Sequence, residues 1–194
     1  MRTAASPPPQ GRRPAVFLDR DGVLNATTER DGVPHPPRAV VDVALLDGVV
    51  EACRLLRQAG LVLVVVTNQP DIARGSTTAA EVELINAAVV APLGVDKVMV
   101  CPHDDADGCA CRKPRPAMLV VAAQELGLDL DRSTMVGDRW RDIEAGQAAG
   151  VATVFVDHGY TERKPQAPDL VVQALLDAVP FVIERALNRS TSPC

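Results

Sequence analysis

Short apolar runs alternate with helix-length segments along this chain. The runs at 15–18, 61–67, 97–100, 134–136, 152–156 and 170–172 predict strands. Several are apolar throughout, the pattern of strands buried on both faces of a parallel sheet. Helices are predicted over 47–59, 78–91, 116–126, 140–149 and 172–187. Gly60, Gly127 and Gly150 stop three of them, and Thr77 and Thr78 followed by Glu81 resemble a capping box. Pro116 suits a first helical turn, and Pro180 is expected to interrupt the last helix. The alternation predicts an α/β fold: a Rossmann-like open parallel sheet with helices on both faces. Residues 1–14 and 188–194 have no apolar periodicity and read as disordered tails around one domain, 15–187.

Ligands of such sheets bind beyond the carboxyl ends of the strands. Chemistry-bearing residues follow the apolar runs in this chain. Asp19-Arg20-Asp21-Gly22 follows the first run, Thr67-Asn68-Gln69 the second, and Gly137-Asp138 the fourth, with Asp142 one helical turn on. Arg112-Lys113-Pro114 precedes the helix at 116. Two carboxylates two residues apart, beside an anionic substrate, require a cation. The set therefore reads as a metal-assisted phosphate site. A calcium EF-loop fits less well, because its twelfth position falls on Arg30 and a strand precedes it.

The 194 residues suffice for one domain with a substantial core. Apolar residues are 47% but aromatics only 3%, so Val, Leu and Ala must build that core. A net charge of −5 argues against a nucleic-acid partner. No apolar stretch reaches the ~18 residues of a membrane span, and no signal-peptide pattern opens the chain. A cytoplasmic monomer with reduced cysteines is expected.

Cys101-x-His103 and Cys109-x-Cys111 offer three thiolates and an imidazole, a closed tetrahedral set for structural Zn²⁺. Such an ion would order the loop carrying Arg112 and Lys113. Cys53 lies on an apolar helix face and reads as core, and Cys194 falls in the tail.

The chain resembles the haloacid-dehalogenase superfamily of phosphatases. Its four motifs correspond to Asp19-x-Asp21-Gly22, Thr67, Lys113 and Gly137-Asp138-x-x-x-Asp142. Thr67-Asn-Gln-x-x-Ile-Ala-Arg-Gly75, Cys101-Pro-His103 and Cys109-Ala-Cys111-Arg-Lys-Pro114 are similar to the subgroup acting on heptose bisphosphates and histidinol phosphate. The resemblance implies Asp19 as nucleophile and Asp21 as general acid and base. It implies Mg²⁺ on Asp19, Asp138 and the Asp21 carbonyl, and Thr67 and Lys113 on the transferring phosphoryl group. Asp142 is expected to orient Lys113 in preference to binding metal. Asn68, Gln69, Arg112 and Arg139 are the expected substrate contacts, with Arg74 a further candidate. Histidinol phosphate is the rival to a heptose bisphosphate, and a nucleic-acid 3′-phosphatase is the remote alternative. Pro70-Asp71 and the loop at 26–37 depart from the subgroup, and no long insertion is present, so the site is expected to be uncapped. Trp140 is read equally as pocket wall or packing, while His35 and His158 are weak candidates.

Overall fold

All six predicted strands pair side by side. The computed structural model describes residues 11–30 and 33–188. The sheet is parallel and contains β1 (Ala15–Leu18), β4 (Val62–Asn68), β5 (Lys97–Cys101), β6 (Thr134–Gly137), β7 (Ala152–Val156) and β8 (Leu170–Val172). Its order is β5-β4-β1-β6-β7-β8. The chain winds outward from β1 one way and then the other, so the connections diverge between β1 and β6. A crevice opens at the carboxyl ends there. β1, β4, β6 and β7 are buried along nearly their whole length, which explains their unbroken apolar sequences.

Five helices cover the sheet: α1 (Val49–Gln58), α2 (Ala79–Val90), α3 (Ala117–Leu126), α4 (Trp140–Ala149) and α5 (Leu175–Leu187). Apolar residues of α1, α2 and α5 pack on one face, including Leu56, Ile85 and Val182. Met118, Leu119 and Ala145 of α3 and α4 pack on the other. Cys53 is core, as expected, and burial pushes its thiol up to about 12. The Thr78–Glu81 capping box forms in both directions: Glu81 N donates to Thr78 Oγ1 at 3.2 Å, and Thr78 N to Glu81 Oε2 at 2.8 Å. No helix of the described residues is long and apolar enough to cross a membrane.

Three expectations need correction. α5 runs through Pro180 without interruption. Pro180 lies on the exposed side of the helix, where water can take the carbonyl left without its N–H donor. Residues 26–37 are not a simple loop, because β2 (Thr28–Arg30) and β3 (Val33–His35) form an antiparallel ribbon. A two-stranded ribbon has only edges, so it accommodates Pro34. The expected tail at 1–14 is also shorter at its inner end. Arg132 Nη2 donates to Arg12 O at 2.7 Å, Asp129 N to Arg13 O at 2.8 Å, and Val62 N to Pro14 O at 3.1 Å. Residues 1–10, and 189–194 with Cys194, lie outside the described residues.

Deletion of residues 1–10 is expected to leave the melting temperature unchanged. Extending the deletion through Pro14 removes hydrogen bonds worth roughly 1 kcal/mol each, and should lower Tm by on the order of 5–10 °C. A calorimetric scan of the two truncations checks this.

Candidate active site

Two strand ends, the first turn of α4 and one loop converge on a single buried ammonium group. Lys113 Nζ donates to Asp19 Oδ1 at 2.8 Å, to Asp142 Oδ1 at 2.6 Å and to Val66 O at 2.7 Å. Its side chain is 2% exposed, and its three protons have three acceptors. Burial opposes its charge, but Asp142 and Asp19 outweigh that effect and hold its pKa above the ordinary lysine value. The sequence placed these groups far apart, and the crevice beside β1 brings them together.

Asp19 continues β1, and its N–H donates to Val136 O of β6 at 3.0 Å. Asp138 follows β6. One carboxylate oxygen from each of Asp19, Asp138 and Asp142 lies within 4.8 Å of the others. Burial, opposed by Lys113, pushes Asp19 up to about 6. Burial, then the charges of Asp19 and Asp142, raises Asp138 well above the usual carboxylate range. Carboxylates this crowded favour a cation. Asp138 Oδ1 is buried with no hydrogen-bond partner, while both oxygens of Asp142 are engaged. Asp142 Oδ2 accepts from Arg139 N at 3.0 Å, closing the first turn of α4. Asp19 and Asp138 thus fit a divalent metal, and Asp142 orients Lys113. Two glycines make room for these acids. A Cβ at Gly22 would lie 2.0 Å from Asp138 Oδ2, and one at Gly137 would lie 2.1 Å from Asp142 Cβ.

Asp21 sits at the lip, and both of its oxygens are held. Oδ1 accepts from Arg20 Nε and Asn25 Nδ2, each at 3.0 Å. Oδ2 accepts from Arg20 Nη2 at 2.7 Å and Gln69 Nε2 at 2.9 Å. Gln69 Nε2 also donates to Thr67 Oγ1 at 2.9 Å. Asn68 exchanges two 3.1 Å bonds with the backbone of Lys113. Asn68 and Gln69 border the cavity, and their amides also brace the protein: Asn68 pins the lysine loop and Gln69 Nε2 pins Asp21.

The cavity above these groups has a volume of about 380 Å³. Arg74, Arg112, Arg139 and Arg141 border it, each paired with a carboxylate. Asp105 is shared by Arg112 and Arg141, at 2.8 and 3.0 Å. Glu162 accepts from Arg139 and, at 3.2 Å, from Trp140 Nε1. The Trp140 ring stacks against Arg141 and Arg163 outside the cavity lining, so it packs and does not form pocket wall. The β2–β3 ribbon brings Pro34 and His35 to the rim, so His35 is nearer the site than its proline-rich surroundings suggested. His158 Nε2 lies 2.7 Å from Gly22 O and braces the loop after β1.

The sequence reading missed Arg20, Asp105, Arg141 and Glu162. Only Arg20 carried a legible signal: an arginine inside Asp-x-Asp at the end of a buried strand must find partners. The other three meet the site through loop geometry.

Cys101, His103, Cys109 and Cys111 form a second cluster beside the lysine loop, with their ligand atoms within 4.8 Å of one another. Sulfur–sulfur separations are 3.1, 3.5 and 3.6 Å, and His103 Nδ1 lies 3.3 Å from Cys111 Sγ. A tetrahedral zinc with arms of about 2.3 Å has edges of ~3.8 Å, so this donor set fits that ion with slight expansion. All four described cysteines are free thiols.

The fold and site agree with comparisons to known proteins. The HAD-hydrolase-like family profile matches residues 110–178. The chain is 38% identical to D-glycero-beta-D-manno-heptose-1,7-bisphosphate 7-phosphatase of Yersinia pestis, over 84% of this chain and 92% of that protein. It is 37% identical to the protein of that name from Escherichia coli (strain K12), over 93% and 96% of the two chains. Among solved structures, D,D-heptose 1,7-bisphosphate phosphatase from B. bronchiseptica, complexed with magnesium and phosphate, superposes with a TM-score of 0.75 at 32% identity. That match covers 89% of this chain and 99% of the other.

Gly22 has φ +85°, and the space a side chain needs there belongs to Asp138. Gly22→Ala is expected to cost more than ~2 kcal/mol, combining backbone strain with displacement of the carboxylate. Urea unfolding of the purified variant measures it.

Proposed function

The chain belongs to the haloacid-dehalogenase-like hydrolases, and we propose that it removes the 7-phosphate of D-glycero-D-manno-heptose 1,7-bisphosphate through an aspartyl-phosphate. The observation that carries the reading is the Asp19–Asp138 pair, with an unpartnered Asp138 oxygen and the Lys113 ammonium beside it, at the floor of an arginine-rimmed cavity. The names of the relatives and the magnesium and phosphate of the similar structure support it.

Asp19 Oδ2 attacks phosphorus while Lys113 holds Oδ1. The bond from phosphorus to the C7 oxygen breaks, and that oxygen takes a proton from Asp21. A water then gives its proton to Asp21 and adds to phosphorus. The bond between Asp19 and phosphorus breaks, and phosphate leaves. The Thr67 hydroxyl donates to one oxygen of the transferring group, and the Lys113 ammonium neutralises its charge. Mg²⁺ held by Asp19, Asp138 and the Asp21 carbonyl supplies charge neutralisation for the carboxylates and the phosphate. Arg112 and Arg139 grip the second phosphate, exchanging their carboxylate partners for it in part. Cys101, His103, Cys109 and Cys111 would hold a structural Zn²⁺, which would order the loop carrying Lys113.

The same wall contains the observation that favours the rival substrate. Asp71, Asp105 and Glu162 border the cavity and would receive the cationic end of histidinol phosphate. The ratio of kcat/KM for heptose bisphosphate over histidinol phosphate is expected to exceed ten, with Asp19→Asn inactive on both. A ratio below one assigns the histidinol activity. Ten is roughly 1.4 kcal/mol of transition-state preference.

Purified protein is expected to contain about one zinc per chain and still to require added Mg²⁺ for turnover. Cys109→Ala should lower Tm and activity together. Elemental analysis without zinc would remove the structural role assigned to the cluster.

A further inference from the structure

We infer that Arg20 is the positioning residue of the proton-transfer step: its guanidinium sets the orientation in which Asp21 meets the leaving oxygen. The inference rests on the reading of Asp21 as general acid and base.

Arg20 is a charged side chain that the reaction scheme leaves without a task, yet it is only 1% exposed and is among the largest fully buried side chains. Burying a guanidinium is costly unless its donors are matched. Here Nε and Nη2 form a two-pronged grip on the two Asp21 oxygens, at 3.0 and 2.7 Å. Nη1 donates to Asn86 Oδ1 of α2 at 2.7 Å. Asn86 is itself buried. The fork therefore has a fixed base in the helix layer and a fixed load at the lip of the site. Its own backbone is tied as well, since Arg20 O accepts from Leu24 N at 2.9 Å and Asn25 N at 3.1 Å.

A bidentate grip fixes the plane of a carboxyl group in a way that point-charge contacts do not. Asn25 and Gln69 add one bond to each oxygen, but each is a single amide hydrogen and neither spans the group. Without Arg20, Asp21 can rotate about its side-chain bonds. General acid catalysis requires the donor oxygen within hydrogen-bond reach of the leaving oxygen, so rotation costs the proton transfer specifically. Attack by Asp19 does not pass through Arg20, because Asp19 is held by Lys113.

That separation defines the test. kcat/KM is measured for the alkyl phosphate ester the wild-type enzyme cleaves fastest, whose leaving oxygen needs a proton, and for 2,4-dinitrophenyl phosphate, whose leaving group does not. Arg20→Gln is expected to lose on the order of 10²-fold on the alkyl ester and less than about threefold on the aryl ester. Equal losses on both esters, the signature of a structural role, or no loss on either would overturn the inference. Asp21→Asn runs in parallel. If its loss is not selective for the alkyl ester, the reading of Asp21 fails; if it is selective and Arg20→Gln is not, the role of Arg20 alone fails. Should Arg20→Gln not fold, as judged by near-ultraviolet circular dichroism, Asn86→Ala decides. It removes only the acceptor at the base of the fork, and is expected to lose about five- to tenfold on the alkyl ester with the aryl ester unchanged. An Asn86→Ala enzyme with wild-type activity on both esters would overturn the inference.

Discussion

One buried ammonium organises this molecule. Lys113 lies where the sheet's connections diverge, and each of its protons ends on a different part of the fold: Asp19 after β1, Val66 O in β4, and Asp142 in α4. Taking a charge of this kind out of water costs several kcal/mol, repaid only by close and complete pairing. The pairing here is complete on the lysine side but not on the carboxylate side. Asp19, Asp138 and Asp142 bring three acids to one cation, and Asp138 Oδ1 has no partner. The protein fold thus supplies a site two positive charges short, which a divalent metal would balance. Phosphate chemistry follows from that deficit, because the same metal and lysine face the anion.

The loop carrying Lys113 contains only a single 3-10 turn, Asp105–Asp107, between β5 and α3. It is secured at two points. Asn68 clasps the lysine backbone from the end of β4, and the Cys₃His cluster gathers the chain from Cys101 to Cys111 just upstream. Asp105 of the same loop reaches Arg112 and Arg141, so the loop is also joined to α4. The arrangement of the cluster, of the lysine and of Arg112 is therefore structurally linked. The reacting groups stand on strand ends and that anchored loop. Arg112 of that loop and Arg139 at the start of α4 border the far part of the cavity, with Pro34 and His35 of the β2–β3 ribbon at its rim.

The sheet and most of the catalytic set were legible in the sequence, because each rests on short-range rules. A run such as Val62–Asn68, apolar and β-branched with no alternation, can be stable only when buried on both faces. Acids and a glycine directly after such a run must emerge at the sheet's carboxyl edge. The Thr78–Glu81 box and the spacing of the cysteines are likewise local patterns with one physical outcome.

What tertiary structure decided is which polar groups meet. Asn68 and Gln69 border the cavity, and the fold also ties their amides to Lys113 and Asp21 across 45 and 48 residues of sequence. Arg20 became a fork on Asp21 because Asn86, 66 residues away, lies behind it. Pro180 entered a helix because it stands on the exposed side, and Pro34 a ribbon because a two-stranded ribbon has only edges. Apolar burial is a property of single residues and their period, so the sequence determines it. Hydrogen-bond partnership between distant side chains is a property of pairs, and only the closed fold selects among them.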